Sequence, residues 1–80
     1  MNANEYATKD FYLGACLLAS RIPLIRLDRL NERSFNFVFE ISTSNAEKII
    51  TDHWNRKLLI PSRDLAEAIN ELKTRIYERK

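Results

Sequence analysis

One histidine, one cysteine and 11 carboxylates stand among the 80 residues of this chain, and any catalytic chemistry would have to start from the first two. His53 follows Asp52, and sequence neighbours on a helix point about 100° apart, so the carboxylate cannot directly orient the imidazole as a general base. The histidine also sits beside Trp54 at the edge of an apolar stripe, where His is usually a boundary residue of intermediate burial. Cys16 lies in the most apolar stretch of the chain, an environment that raises a thiol's pKa and leaves it inert. A tetrahedral metal site built on one Cys and one His lacks two ligands, and no other His or Cys can supply them. A single glycine cannot build the usual phosphate-cradling loops. An enzyme would require carboxylates such as Asp28, Glu32 or Glu40 to converge with His53 in a cleft. We expect no such convergence, and therefore no catalytic residue, metal, cofactor or small-molecule substrate.

Binding chemistry is the alternative. Thirteen basic and 11 acidic residues give a formal charge of +2, a mild bias that permits nucleic-acid binding without requiring it. The segment "RSFNFVFE", residues 33–40, resembles the RNA-recognition signature in which a basic residue precedes alternating aromatics that stack on bases. Arg33, Phe35, Phe37 and Val38 match it, whereas Ser34, Asn36 and Glu40 depart from it. In a strand, Phe35, Phe37, Phe39 and Ile41 share one face and Glu40 the other. A stripe of that size is read as core, because each such side chain gains roughly 1.5–3 kcal/mol on burial. The opposite face then carries Asn36, Val38 and Glu40, with Arg26, Arg29 and Arg33 on the neighbouring strand and turn. Arg21, Arg56, Lys57 and Arg63 flank the ends of elements. Arg26, Arg29, Arg33, Arg56, Lys57 and Arg63 are the candidate nucleic-acid contacts. The plainer alternative is a solvated face of mixed sign, with Asp28, Glu32 and Glu40 interspersed.

These residues must be positioned by a short series of elements. Residues 1–7 are polar and expected to fray. Thr8 can cap a first helix that runs to about Ser20, with Asp10 in its first turn. That helix is apolar all round, with Phe11, Leu13, Leu17 and Leu18 on one side and Tyr12, Ala15, Cys16 and Ala19 on another. Gly14 would let a neighbouring backbone come close. It is either the central element or half of a dimer interface. Pro23 ends it, and "LIRLDRL", residues 24–30, reads as a strand that turns through "NERS" into the phenylalanine strand, forming a hairpin. Ser44 and Glu47 have the spacing of a capping box. A second helix follows, with Ala46, Ile49, Ile50, His53 and Trp54 at helical spacing. "LLI", residues 58–60, is a third strand or a buried connector. Ser62 caps a last helix striped by Leu65, Ile69, Leu72 and Ile76, with Glu71 and Arg75 paired at i, i+4. The expected fold is α+β: a small antiparallel hairpin or three-stranded sheet with three helices on one face, in the order α-β-β-α-(β)-α.

The chain is short enough to be one domain, residues 1–80, in which most large apolar side chains are needed for the core. The unpaired Cys16 and the lack of a signal-like segment favour a cytoplasmic setting. The longest uncharged run, "FYLGACLLAS", is about half of a membrane span. "YATKDFYLGACLLASRIPLI", "FNFVFEI", "DHWN" and "LAEAINELKTRIYE" together make residues 6–79 resemble a family of short proteins of unknown function from bacteria, archaea, their phages and other mobile elements. The likeness rests on the order of Tyr6, Thr8 and Asp10, a Leu- and Ala-rich helix, Phe37 and Phe39, Trp54, and Leu72-Lys73. Arg21 stands where that pattern has a glycine. The resemblance implies a compact accessory protein and transfers no active site. The leading expectation is thus a non-enzymatic accessory module that contacts nucleic acid. The alternative is a protein-interaction module, homodimeric or with another protein, using Phe11, Tyr12, Leu17, Leu18, Trp54 and Tyr77.

Overall fold

The computed structural model describes residues 4–79. Their order is β1 (Glu5–Thr8), α1 (Phe11–Ala19), β2 (Leu24–Arg29), β3 (Phe35–Glu40), α2 (Thr43–Trp54) and α3 (Ser62–Arg79). The three strands form one antiparallel sheet in the order β1-β3-β2. The α+β class with three helices and a three-stranded sheet is therefore present, but its third strand comes from the start of the chain. Residues 5–7 do not fray: Glu5 pairs with Glu40, Tyr6 with Phe39, Ala7 with Val38 and Thr8 with Phe37. Residues 1–3 of the expected frayed segment lie outside the described part. Residues 58–60 are neither a strand nor a buried connector, since Leu59 is almost fully exposed. The central strand β3 already has a neighbour on each side, so no place beside it remains for them.

The phenylalanine row is core. Phe35, Phe37, Phe39 and Ile41 are all buried, and they form one cluster with Leu27 of β2, Ala15 and Leu17 of α1, Ala46 of α2, and Ala68 and Leu72 of α3. All three helices thus contribute to the same face of the sheet. Val38 points the other way yet is also buried. Arg26 of β2 reaches Glu5 of β1 at 3.5 Å, and to do so its stem must pass over β3, where it shields Val38 as long cationic side chains commonly do.

Helix α1 is the central element of the single chain, with Tyr12 left largely exposed. Its residues 13–17 are buried within the single chain, and Phe11 and Leu18 are half-buried against the core. Leu17, fully covered, cannot serve as an interface residue of the folded protein. Around Gly14 the neighbours are the side chains of Phe37 and Leu72, not an approaching backbone. The cap of α1 is Asp10, whose Oδ1 accepts from the N–H groups of Tyr12 and Leu13 at 3.0 and 3.1 Å. Thr8, expected there, is the last residue of β1, and its hydroxyl oxygen accepts from the Asp10 N–H.

Helix α2 is capped by Ser42, which accepts from the Asn45 N–H at 3.3 Å. The Ser44–Glu47 capping box does not form, because β3 ends early enough for the helix to start at Thr43. Helix α3 opens one residue earlier than expected. Ser62 is already helical, and the Leu65 N–H donates to the Pro61 carbonyl. The Glu71–Arg75 pair is present at 3.2 Å.

Candidate functional site

The six candidate cations fall in three places. At the hairpin, Arg26 donates to Asp28 at 3.1 Å and reaches Glu5. The hydrogen bond and charge of Asp28, with a smaller contribution from Glu5, hold its guanidinium still more firmly protonated than usual. Arg29 donates through Nε to the Asn31 carbonyl at 3.2 Å. The Arg33 N–H donates to Asn31 Oδ1 at 2.8 Å, closing the turn, and its side chain is exposed. These arginines chiefly organise the hairpin. Arg63, in the first turn of α3, stands 3.8 Å from Glu67.

The third place is the end of α2 and the connector that follows. Here the chain reads Asn55, Arg56, Lys57, Leu58, Leu59, Ile60 and Pro61, two cations with no carboxylate among them. Helix α2 ends in a Schellman turn: the Lys57 N–H donates to the Asp52 carbonyl at 2.8 Å and the Arg56 N–H to the His53 carbonyl at 3.1 Å. Such a turn needs a left-handed residue after the cap, and Arg56 occupies it with φ 61°, a conformation that favours glycine. Helix α1 ends the same way. Ile22 donates to the Leu17 carbonyl, Arg21 donates to that of Leu18, and Arg21 has φ 68°. Both helices therefore carry an arginine where a glycine would be least strained. A cation there also faces the negative end of the helix dipole.

Trp54, the only tryptophan, closes α2 with 67% of its surface exposed. Its ring stands edge-on to the His53 imidazole, centroids 5.1 Å apart. His53 Nδ1 in turn lies 3.7 Å from Cys16 Sγ, a contact between residues 37 positions apart that nothing in the local sequence signals. Cys16 is buried in α1. Burial first, and the charge of Asp10 second, push its thiol pKa upward, which disfavours the thiolate a nucleophile would need. The contact ties the edge of the His53 ring to α1, and the Trp54 ring stands beside it. Tyr12 lies one turn before Cys16 on the same side of α1, is two-thirds exposed, and stands edge-on to Phe11.

Asp28 and Glu40 register with Asn36 and Glu5 on the sheet face opposite the phenylalanines, so they do not converge with His53. Among the described residues no three His, Cys, Asp or Glu side chains are grouped to hold a metal ion. A shallow groove of about 350 Å³ runs between the end of α1 and α3 and is edged by Arg21 together with Asp64, Glu67 and Glu71. Its excess of carboxylates suits no anion. No helix among the described residues is long and apolar enough to cross a membrane. The chain is a small α+β domain with an exposed corner at which Trp54 is followed by Arg56 and Lys57. No family model, curated protein or solved structure matches the chain.

Proposed function

We propose that this protein is a non-enzymatic binding module that contacts single-stranded nucleic acid through the corner between α2 and α3. The observation that carries this reading is Trp54. It is a large aromatic left 67% exposed, braced from behind by His53, and followed by two cations in a segment without acids. An exposed aromatic beside cations suits a strand whose bases stack and whose phosphates are neutralised. Arg56 and Lys57 supply the phosphate contacts, and Arg33 and Arg63 lie at more distant points of the surface. Arg26 and Arg29 are occupied within the hairpin and contribute least. The wider role, an accessory module of a mobile or host-associated genetic system, rests on the order and spacing of the motifs that resemble that family.

The test is fluorescence anisotropy with labelled single-stranded DNA, single-stranded RNA and duplex DNA at about 50 and 200 mM salt. Two or three neutralised phosphates give a roughly 7- to 18-fold weaker affinity for single strands over that range. Trp54→Ala should weaken binding roughly 5- to 150-fold, the equivalent of about 1–3 kcal/mol of lost stacking. Absence of binding by every nucleic acid at low salt would refute the proposal and turn the search to a protein partner for exposed Leu59 and Tyr77.

A further inference from the structure

Tyr12 is the one exposed residue of α1: residues 13–17 are buried, and Phe11, Leu18 and Ala19 are partly so. Large apolar side chains exposed singly are ordinary on a protein surface. Tyr12 does not stand alone. It lies one turn before Cys16, a spacing that puts about 5–6 Å between Cβ atoms. Cys16 Sγ stands 3.7 Å from His53 Nδ1, and the His53 ring is 5.1 Å from that of Trp54. Tyr12 on α1 and Trp54 on α2 therefore flank one seam between the two helices, within roughly 20 Å of each other.

The two rings are presented alike. Tyr12 is 66% exposed and Trp54 67%. Tyr12 has Phe11 as a near-perpendicular neighbour, 5.2 Å away at 87°, and Phe11 packs on the core, 6.2 Å from Phe37. Trp54 has His53 at 67°, and His53 is tied to α1 through Cys16. An edge-to-face neighbour covers at most one of a ring's two faces, so each of these contacts limits the motion of the exposed ring and leaves a face on which a base can stack. Limiting that motion beforehand lowers the ordering cost of binding. The charges around Tyr12 suit a phosphate backbone as well. Lys9, three residues before it, is exposed, and the acid between them, Asp10, turns its Oδ1 onto the N–H groups of Tyr12 and Leu13.

We infer that Tyr12 is a second stacking platform for the same single strand, taking one base while Trp54 takes another, so that the strand crosses the α1–α2 seam. The inference rests on the single-strand proposal and extends its site from α2 to α1. At the roughly 3.4 Å spacing of stacked nucleotides, both platforms are reached by a strand of about six nucleotides.

Fluorescence anisotropy with labelled single-stranded DNA and RNA of about 12 nucleotides tests it. Tyr12→Ala should weaken the affinity roughly 5- to 150-fold, as Trp54→Ala does. Tyr12→Phe keeps the ring and should stay within about twofold of the wild type. Tyr12→Leu keeps apolar bulk against Phe11 but offers no ring face, and should bind as weakly as Tyr12→Ala, which keeps the test decisive if the alanine variant disturbs α1. Because the rings take separate bases, the fold-losses of Tyr12→Ala and Trp54→Ala should multiply in the double variant. Wild-type affinity in Tyr12→Leu, with Trp54→Ala impaired, would overturn the second platform and leave the Trp54 proposal standing. So would a double variant no weaker than Trp54→Ala alone, since Tyr12 would then act only through Trp54. No binding by the wild type would remove both.

Discussion

Replacing Gly14 by alanine should stabilise this protein, although the position is buried in the most crowded helix. The residue stands mid-way along α1, where glycine costs about 0.8–1.0 kcal/mol relative to alanine. A Cβ built there would meet Phe37 Cδ2 and Cγ at 3.5 Å and Leu72 Cδ1 at 3.6 Å. These separations are close to the optimum for carbon atoms, about 3.5–4.0 Å, so the methyl fills space without displacing its neighbours. Burying one more carbon contributes up to about 0.8 kcal/mol. A net gain of about 1–1.5 kcal/mol follows, which raises the Tm of a domain this size by roughly 4–12 °C. Urea unfolding followed by far-UV circular dichroism measures it directly, the m-value reporting that the two states are otherwise unchanged. Gly14→Val, which adds two further methyl groups on the same side, should instead lose about 1–3 kcal/mol to overpacking. A lower urea midpoint for Gly14→Ala at unchanged m would refute this account of the α1–β3–α3 packing.

The two left-handed arginines separate stability from binding. Arg21→Gly and Arg56→Gly should each stabilise the fold by about 0.5–1 kcal/mol, the relief of the left-handed backbone exceeding the added freedom of the unfolded chain. Only Arg56→Gly should also weaken single-strand binding, lowering the salt slope by about 0.7, and equal binding by the two variants would count against a role for Arg56. Cys16 makes stability depend on alkaline pH. Its folded pKa is raised, so its contribution is intact below the ordinary thiol value of about 8.5 and is lost as pH rises from there toward the folded value. The urea midpoint of the wild type should therefore fall more steeply above about pH 8.5 than that of Cys16→Ala, and parallel profiles would contradict the burial of the thiol.

Which parts of the fold were legible in the sequence follows from whether the determining contacts are local. The apolar spacing of Leu65, Ile69, Leu72 and Ile76 marked α3, and the alternation of Phe35, Phe37 and Phe39 marked the inward face of β3, because each periodicity is a property of a single element. Strand β1 carries no such mark. "EYAT" is short and only weakly strand-like, and it is a strand because the free side of β3 lies beside it. The same competition removed residues 58–60 from the sheet despite their apolar character. Ser42 and Ser44 are equally good caps in sequence, and the end of β3 decides between them. At the site, Trp54, Arg56 and Lys57 were recognisable by type. The left-handed turn that places the cations was hidden because arginine, not glycine, stands in it. The Cys16–His53 contact joins two helices, and sequence neighbours could not reveal it.

Intrinsic fluorescence of Trp54 tests the central claim most directly, since the chain has one tryptophan and the proposed interface is built on it. Titration with an unlabelled single-stranded oligonucleotide at about 50 mM salt should quench that emission to saturation. The apparent affinity should weaken roughly 7- to 18-fold at about 200 mM, and Arg56→Glu with Lys57→Glu should abolish the change. Saturable binding that leaves the Trp54 emission untouched would move the contact elsewhere on the surface, and no binding at all would remove the nucleic-acid function.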